Sequence, residues 1–472
     1  MHQADRQTTM TITAQQDDAS TLSADLLAWV QDVLGATIVS VDRRPGGGRR
    51  EAWFLDVRYP DGSAGELFLR YDRTDPTVTG DPFTLSREAA FFAAMADSAV
   101  PAPHIHAVHP REQAILAERV AGETWFSRLK DPDERVEVAT DFMRILAALH
   151  AIEPRGLDLD EGVNPGDLPA HVAVEIDRWE RFYRTSEAPP DPLIEVGFAW
   201  LKANVPKASG PVVIVHGDAG PGNFLYRDGR VSAVLDWELA HLGDPHDDLA
   251  WVSVRAVQEP FTDLLERFDD YARFSGRPVD VSRVRYYRVF AELRILVLSH
   301  HSVGHSDPLG EVGNALIYTA LHRRLFGDAM ADVLDVELQR PTTLDAPVTA
   351  LAWWYDAALA QLGQIVVPRS TDPFVILRSK GIARMLKYLR EMDRLGPAAE
   401  VADLEDLADV LGARPDSVAE GIAALLGRFN SGTVDVASVV RVLHRRTLRE
   451  MQILRPAMGR LVERTFDPLE RP

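Results

Sequence analysis

The chain contains no cysteine. Disulfides, cysteine-ligated zinc, iron–sulfur clusters and a thiol nucleophile are therefore excluded. Lysine is almost as scarce. It occurs only at positions 130, 202, 207, 380 and 387, so 46 of the 51 basic residues are arginine and the first 129 residues hold no lysine. Any task that needs a cation in that region falls to arginine. Long apolar runs are missing too: the most apolar stretches, Val212–Val215 and Ile295–Leu298, are far too short to span a bilayer. The first twenty residues are polar, with no apolar run behind a basic start, and read as part of a flexible tail (1–22) rather than a secretory leader. Positive charge is also short, 51 Lys and Arg against 71 Asp and Glu, a net charge of −20. Duplex nucleic acid and anionic membranes need a basic face, so neither is expected as the main partner. A cytoplasmic protein acting on small molecules is the expectation.

The 472 residues are 46% hydrophobic and 26% charged, an ordinary folded composition with length for roughly three domains. Apolar spacing predicts a helix from Ser23 to Leu34 ending at Gly35. Strands follow at Thr37–Val41, Ala52–Tyr59 and Gly65–Tyr71, with Gly46, Gly47 and Gly48 between the first two and Pro60-Asp61-Gly62-Ser63 between the others. A helix at Leu85–Met95, a strand around Ala114–Glu118 and a long helix from Pro132 to His150 come next. Val212–Val215 and Val231–Leu235 are short strands flanking a loop, and the chain after Asp248 is helical to about Leu338. Gln339–Pro347 reads as a linker. Beyond it, helices are expected around Trp353–Leu362, Ile382–Leu395, Val401–Leu411, Val418–Phe429 and Val436–Met451, an all-helical unit over 348–472.

Chemistry concentrates between Val212 and Trp251. A strand ending at Val215 delivers His216 and Asp218 into a loop whose Ala219-Gly220-Pro221-Gly222 permits tight turns before Asn223 opens the next apolar run. A two-residue turn at Asp228-Gly229 folds the following strand back, so Asp236 returns to the end of the hairpin that holds Asp218 and Asn223. Two carboxylates and an amide oxygen form a ligand set suited to a hard cation such as Mg²⁺, which usually shares such a site with phosphate oxygens.

His216-x-Asp218 with Asn223, and Asp236 thirteen residues later, resembles the catalytic loop and metal-binding aspartate of protein-kinase-like enzymes. The form HGDxxxxNxL…VLDWE…GDPxxDLA is similar to the aminoglycoside phosphotransferase branch. Within it, LDWELAHLGDPHDDLAW is especially similar to kinase-like domains found beside, or fused to, acyl-CoA dehydrogenases. The resemblance implies an α+β, two-lobed fold: a small antiparallel-sheet nucleotide lobe (23–121), a mostly helical catalytic lobe (122–338), and a helical extension. It implies an ATP- or GTP-dependent, Mg²⁺-requiring phosphotransferase with an alcohol acceptor. Asp218 would take the hydroxyl proton, His216 would orient the loop, and Asn223 and Asp236 would hold metal. The acceptor implied is a hydroxylated metabolite such as a hydroxyacyl-CoA. An aminoglycoside or macrolide antibiotic is an alternative acceptor, and a non-catalytic nucleotide-binding scaffold is the alternative from another class.

In the sheet lobe the resemblance places Gly46–Gly48 over the phosphates, although any hairpin could use three glycines. Arg49 and Arg50, where related enzymes carry a small polar residue, either contact phosphate or hold the loop differently. Arg70 takes the place of the strand lysine and pairs with Glu88. Glu118 to Val120 form the hinge whose backbone would meet adenine. Glu238 either shapes the metal shell or pairs with an arginine. Asp244 and Asp248 are expected to cap a helix, and His246 to lie at the surface. Arg294, embedded in an apolar helix, needs a carboxylate or a phosphate, as a structural salt bridge or a substrate anchor. His300, His301 and His305 read as a helix end rather than a metal site, and Trp353-Trp354 as core or interface. The extension could cover the acceptor site, form a dimer or dock a partner enzyme.

Overall fold

The computed structural model describes residues 22–44, 50–75, 80–96, 98–154, 166–207, 210–304 and 310–470. Helix α1 (Ala24–Leu34) begins where the Ser23 hydroxyl accepts the Leu26 N–H at 3.1 Å and ends at Gly35 in the left-handed region (φ 58°). Its buried residues Leu26 and Val30, one turn apart, pack on a five-stranded antiparallel sheet. The sheet contains β1 (Thr37–Arg44), β2 (Glu51–Arg58), β3 (Ala64–Asp72), β4 (Ile105–Val108) and β5 (Gln113–Glu118), in the order β1-β2-β3-β5-β4. Alternation along β2 turns Trp53, Leu55 and Val57 into the core. Arg70 on β3 lies between Ala52 and Ile115 of its neighbours. Helix α2 (Leu85–Met95) then places Glu88 inside the lobe. Strand β4 has no counterpart in the sequence expectations: its four residues IHAV are too few to show a period.

The helical lobe is built from α3 (Pro132–Leu149), α4 (Leu168–Arg184), α5 (Pro192–Ala203), α6 (Pro245–Gln258), α7 (Leu264–Ser275), α8 (Val281–Gly304) and α9 (Val312–Leu334). An Asp-Pro pair opens α3, α5 and α6: the carboxylate accepts a first-turn N–H and the proline presets the helical φ. Four short strands lie among the helices. β6 (Val213–Val215) pairs with β9 (His241–Gly243), and β7 (Phe224–Arg227) with β8 (Arg230–Val234). The β7–β8 turn has Asp228 at φ 52° and Gly229 at φ 73°, the two left-handed residues a tight hairpin demands.

The chain ends in α10 (Ala352–Gln361), prolonged by a π-helical turn at Leu362–Val366, then α11 (Pro373–Leu411), α12 (Val418–Asn430) and α13 (Val436–Met458). The two helices expected at Ile382–Leu395 and Val401–Leu411 are one continuous helix through Gly396-Pro397. Proline removes one helical donor, and the packing of Leu395 and Ala399 against Ile453 holds both sides of that gap. Leu425, Val439 and Leu443 share one apolar cluster with Leu293 and Phe326 of the helical lobe. α9 and α11 cross so closely at Gly313 that an added Cβ would collide with the carbonyl of Gly381. Gly313→Ala should therefore lower stability by about 1–3 kcal/mol. Gly427→Ala, on an exposed helix position with nothing within 4 Å, should raise it by about 0.5–1 kcal/mol. Denaturant titration of the two variants reads both.

Candidate functional site

The loop that follows β6 is held from beneath by one carboxylate. Asp248, in the first turn of α6 and fully buried, accepts the backbone N–H of His216 at 2.8 Å and of Gly217 at 2.9 Å. The same carboxylate meets His150 Nε2 at 3.0 Å, and His150 Nδ1 meets the Tyr271 hydroxyl at 2.7 Å. Asp248 thus does not cap its helix. Asp244 does, accepting the His246 N–H at 2.9 Å.

His216 uses both ring nitrogens on the loop. Nδ1 accepts the Asp218 N–H at 3.2 Å and Nε2 donates to the Leu235 carbonyl at 2.8 Å, so these partners assign the ring proton to Nε2. Asp218 is thereby turned toward Asn223, whose Nδ2 donates to the Asp218 carboxylate Oδ2 at 2.6 Å and to its carbonyl at 2.8 Å. The other oxygen, Oδ1, is buried and has no hydrogen-bond partner among the described residues. Burial, reinforced by the charge of Asp236 and opposed by Arg255, pushes the Asp218 carboxyl up to about 6.

Arg255 was not anticipated from the sequence. It lies seven residues after Asp248 and so on the same face of α6. Its Nε donates to the Pro221 carbonyl at 3.2 Å, Nη2 to Asn223 Oδ1 at 3.0 Å, and Nη1 lies 3.4 Å from Asp218 Oδ2. The glycines read as turn residues also clear its path. A Cβ on Gly222 would sit 2.5 Å from Arg255 Nη2, and one on Gly220 2.8 Å from Arg255 Cβ.

Across the cleft, Leu235 N–H donates to the Asn223 carbonyl at 2.9 Å, which brings Asp236 beside the loop in a left-handed conformation (φ 67°). Arg70 Nη2 lies 2.6 Å from Asp236 Oδ1 and 3.1 Å from Glu238, and Nη1 lies 3.2 Å from Glu88. The expected Arg70–Glu88 pair is present, and a second arginine joins it. Arg50, its side chain 1% exposed, reaches Glu88 at 3.0 Å, Glu238 at 3.1 Å, Asp72 at 3.5 Å and the Phe83 carbonyl. Glu238 therefore pairs with two arginines. Burial works against the Asp236 charge, yet the Arg70 guanidinium holds that carboxyl below its ordinary range. Four carboxylates face two guanidiniums, and burial pushes the Glu88 carboxyl above its ordinary range.

Among the described residues no three His, Asp or Glu side chains are arranged to hold a metal ion by themselves. Asp236, its carboxyl held below the ordinary range by Arg70, is one-third exposed, and among the described residues its Oδ2 has no hydrogen bond. Asn223 offers an amide oxygen beside it. Hard oxygens of this kind suit Mg²⁺ when phosphate oxygens complete the shell.

The remaining expected residues are placed as follows. Gly46, Gly47 and Gly48 lie outside the described residues, as does His305. Glu118 closes β5, and its carboxylate accepts the His104 N–H at 3.0 Å. The chain then passes Val120 into the other lobe, where Glu123 bridges to Tyr226. Arg294 is not brought to the cleft. It is 1% exposed, and its two terminal nitrogens bind Asp247 at 2.9 and 2.8 Å over the Phe290 ring, because a cation in an apolar helix needs its counter-ion inside the core. His246 is buried rather than superficial: Nδ1 lies 2.8 Å from Asp244, and Nε2 accepts the Asp280 N–H at 3.0 Å. His300 and His301 pack on Tyr183 and Phe182 of α4.

Asp218 gives a test of this geometry that needs no substrate. The unfolded carboxyl releases its proton near 3.8 and the folded one near 6. Stability present below the lower value is therefore lost as the pH rises through the upper one. Asp218→Asn, which mimics the protonated form, should stabilise the fold by up to about 3 kcal/mol at pH 7.5 and by nothing at pH 3.5, read by denaturant unfolding at both values.

The chain was compared with known proteins. It is 26% identical over 215 residues to acyl-CoA dehydrogenase family member 10 of Mus musculus, covering 43% of the chain and 20% of that protein. It is 32% identical over 159 residues to acyl-CoA dehydrogenase family member 11 of Rattus norvegicus, covering 33% of the chain and 20% of the relative. The chain thus spans about a fifth of the length of these curated relatives. Among solved structures, the macrolide 2'-phosphotransferase MphH of Brachybacterium faecium is 21% identical, with a TM-score of 0.42 over 67% of the chain and 99% of the neighbour. Residues 43–286, which include the loop, Asp236 and the arginine cluster, match the phosphotransferase enzyme family, and the chain, an antiparallel-sheet lobe followed by a helical lobe, belongs to that family.

Proposed function

We propose that the protein moves the terminal phosphoryl group of ATP or GTP to a hydroxyl of a small molecule, with Asp218 as the general base. The observation that carries this reading is the Asp218 carboxylate. One oxygen is fixed by Asn223 at 2.6 Å, and the other is buried with no hydrogen-bond partner among the described residues. A substrate O–H pointing at Oδ1 gives up its proton there as its oxygen bonds to phosphorus, and the nucleoside diphosphate leaves with the other bond's electrons. In-line positioning and charge compensation supply most of the rate in such transfers, and proton removal a smaller share.

Asp236 and Asn223 would hold Mg²⁺, which when bound neutralises phosphate charge. His216 keeps Asp218 aimed by holding its N–H. Arg70, anchored by Glu88, is the cation that would face the α- and β-phosphates. The backbone from Glu118 to Val120 would meet the base. Arg255 fixes Asp218 and Asn223 relative to each other from below. The acceptor class best supported is a hydroxylated metabolite such as a hydroxyacyl-CoA, because curated relatives of the chain are acyl-CoA dehydrogenase family members. A scaffold that binds nucleotide without turnover is the second reading. It is favoured by the guanidiniums of Arg70 and Arg255 on the Asp236 and Asn223 oxygens.

Asp218→Asn should lower kcat about 10²- to 10⁴-fold while Mg-nucleotide still raises the unfolding temperature. Asp236→Asn should abolish that temperature rise. A wild-type protein stabilised by no Mg-nucleotide would refute both readings; stabilisation with no turnover on any hydroxylated metabolite or antibiotic would leave the scaffold. Arg255→Met should reduce kcat with KM for nucleotide unchanged, and Arg255→Lys should recover part of the loss, because an ammonium can satisfy one of the three contacts. Steady-state kinetics on both variants separate this positioning role from a loss of fold.

A further inference from the structure

From Asp332 to Arg378 no residue is buried. Within that stretch, Leu351–Val367 carries a single charged residue, Asp356, and Arg390 pairs with it at 2.7 Å. A helix this apolar is ordinarily covered on all sides. Here Trp353 and Trp354 are 65% and 66% exposed, and Leu351, Ile365, Ile382 and Leu389 are each exposed by two-fifths to one half. Scattered surface leucines need no explanation, but a contiguous apolar face does. The two indoles stand edge to face, 4.8 Å apart. The indoles form one rim of a groove of about 470 Å³ between α10, the π-helical turn and α11, whose other walls include Leu362, Val366 and Leu386.

We propose that a second copy of this chain covers this face, forming a two-fold symmetric dimer through α10 and α11. Two features select that occupant. The patch carries both a ridge and a groove, and a two-fold axis brings a surface against itself, so the ridge of one copy meets the groove of the other. Its area matches. Two tryptophans exposed by two-thirds supply about 300 Å², and the half-exposed aliphatic side chains supply a comparable amount. The apolar part of a standard homodimer face is about 500 Å² per copy.

Light scattering coupled to gel filtration of the full chain, at tens of micromolar, should give twice the mass of one chain. Trp353→Glu with Trp354→Glu should return the mass to that of one chain. Far-UV circular dichroism should stay unchanged, since neither side chain is buried within one copy. If that double variant loses its helical signal, Ile382→Glu takes its place in the same measurement. Because the chain has no cysteine, Ala357→Cys introduces a lone thiol on this face. Under mild oxidation it should yield a covalent dimer that the double tryptophan variant does not form. A wild-type protein with the mass of one chain would overturn the proposal. So would a dimer that survives these substitutions, or a monomer that sediments with phosphatidylglycerol vesicles.

Discussion

The chemistry of this protein depends on one buried carboxylate that never touches a substrate. Asp248 accepts two successive backbone N–H groups, those of His216 and Gly217, and so fixes the direction in which the loop leaves β6. Two N–H groups in a dry interior would otherwise lack partners, at a cost of about 1–3 kcal/mol each. The loop therefore has one low-energy course. Everything above it follows in sequence: His216 holds the Asp218 N–H, Asp218 receives Asn223, and the Asn223 carbonyl receives Leu235 and presents Asp236. His150 and Tyr271 extend the support from α3 and α7, so three helices converge beneath a loop of eight residues.

The second organising feature is electrostatic. Arg50 and Arg70 bring carboxylates from β3, α2 and the segment after β8 into one cluster: Asp72, Glu88, Asp236 and Glu238. Two of these side chains come from the helical lobe and the others from the sheet lobe, so the cluster ties the lobes together where a nucleotide would enter. Buried ion clusters of this sort are poor sources of stability, because desolvation offsets most of the attraction. Their value lies in fixing geometry, and removing a single member exposes the rest to an uncompensated charge.

Much of this was legible in the sequence. The hairpin from Phe224 to Val234 and the return of Asp236 to the loop followed from Asp228-Gly229, since few other pairs accept two left-handed conformations in a row. The Arg70–Glu88 pair was implied by the family resemblance, which calls for a strand cation paired with a helix glutamate, and the absence of lysine left arginine to fill that place. Arg255 was hidden because its role depends on helix phase relative to a loop thirty residues earlier, and arginine is too common in this chain to attract notice. Arg50 was visible only as a departure from a pattern; its burial depends on how α2 closes over the sheet. His246 and Asp248 were misjudged for a shared reason. Polar residues in a first helical turn ordinarily serve that turn, but here α6 begins in the centre of the lobe, where loop and neighbouring helices compete for the same side chains.

The guanidinium at Arg70 governs what can silence the site. A lysine at that position would be open to acylation, which erases its charge. A guanidinium stays charged at any pH a cell experiences and is a far weaker nucleophile. The sheet lobe, lysine-free from end to end, thus gives amine-directed reagents and reactive acyl donors no ε-amino group to capture.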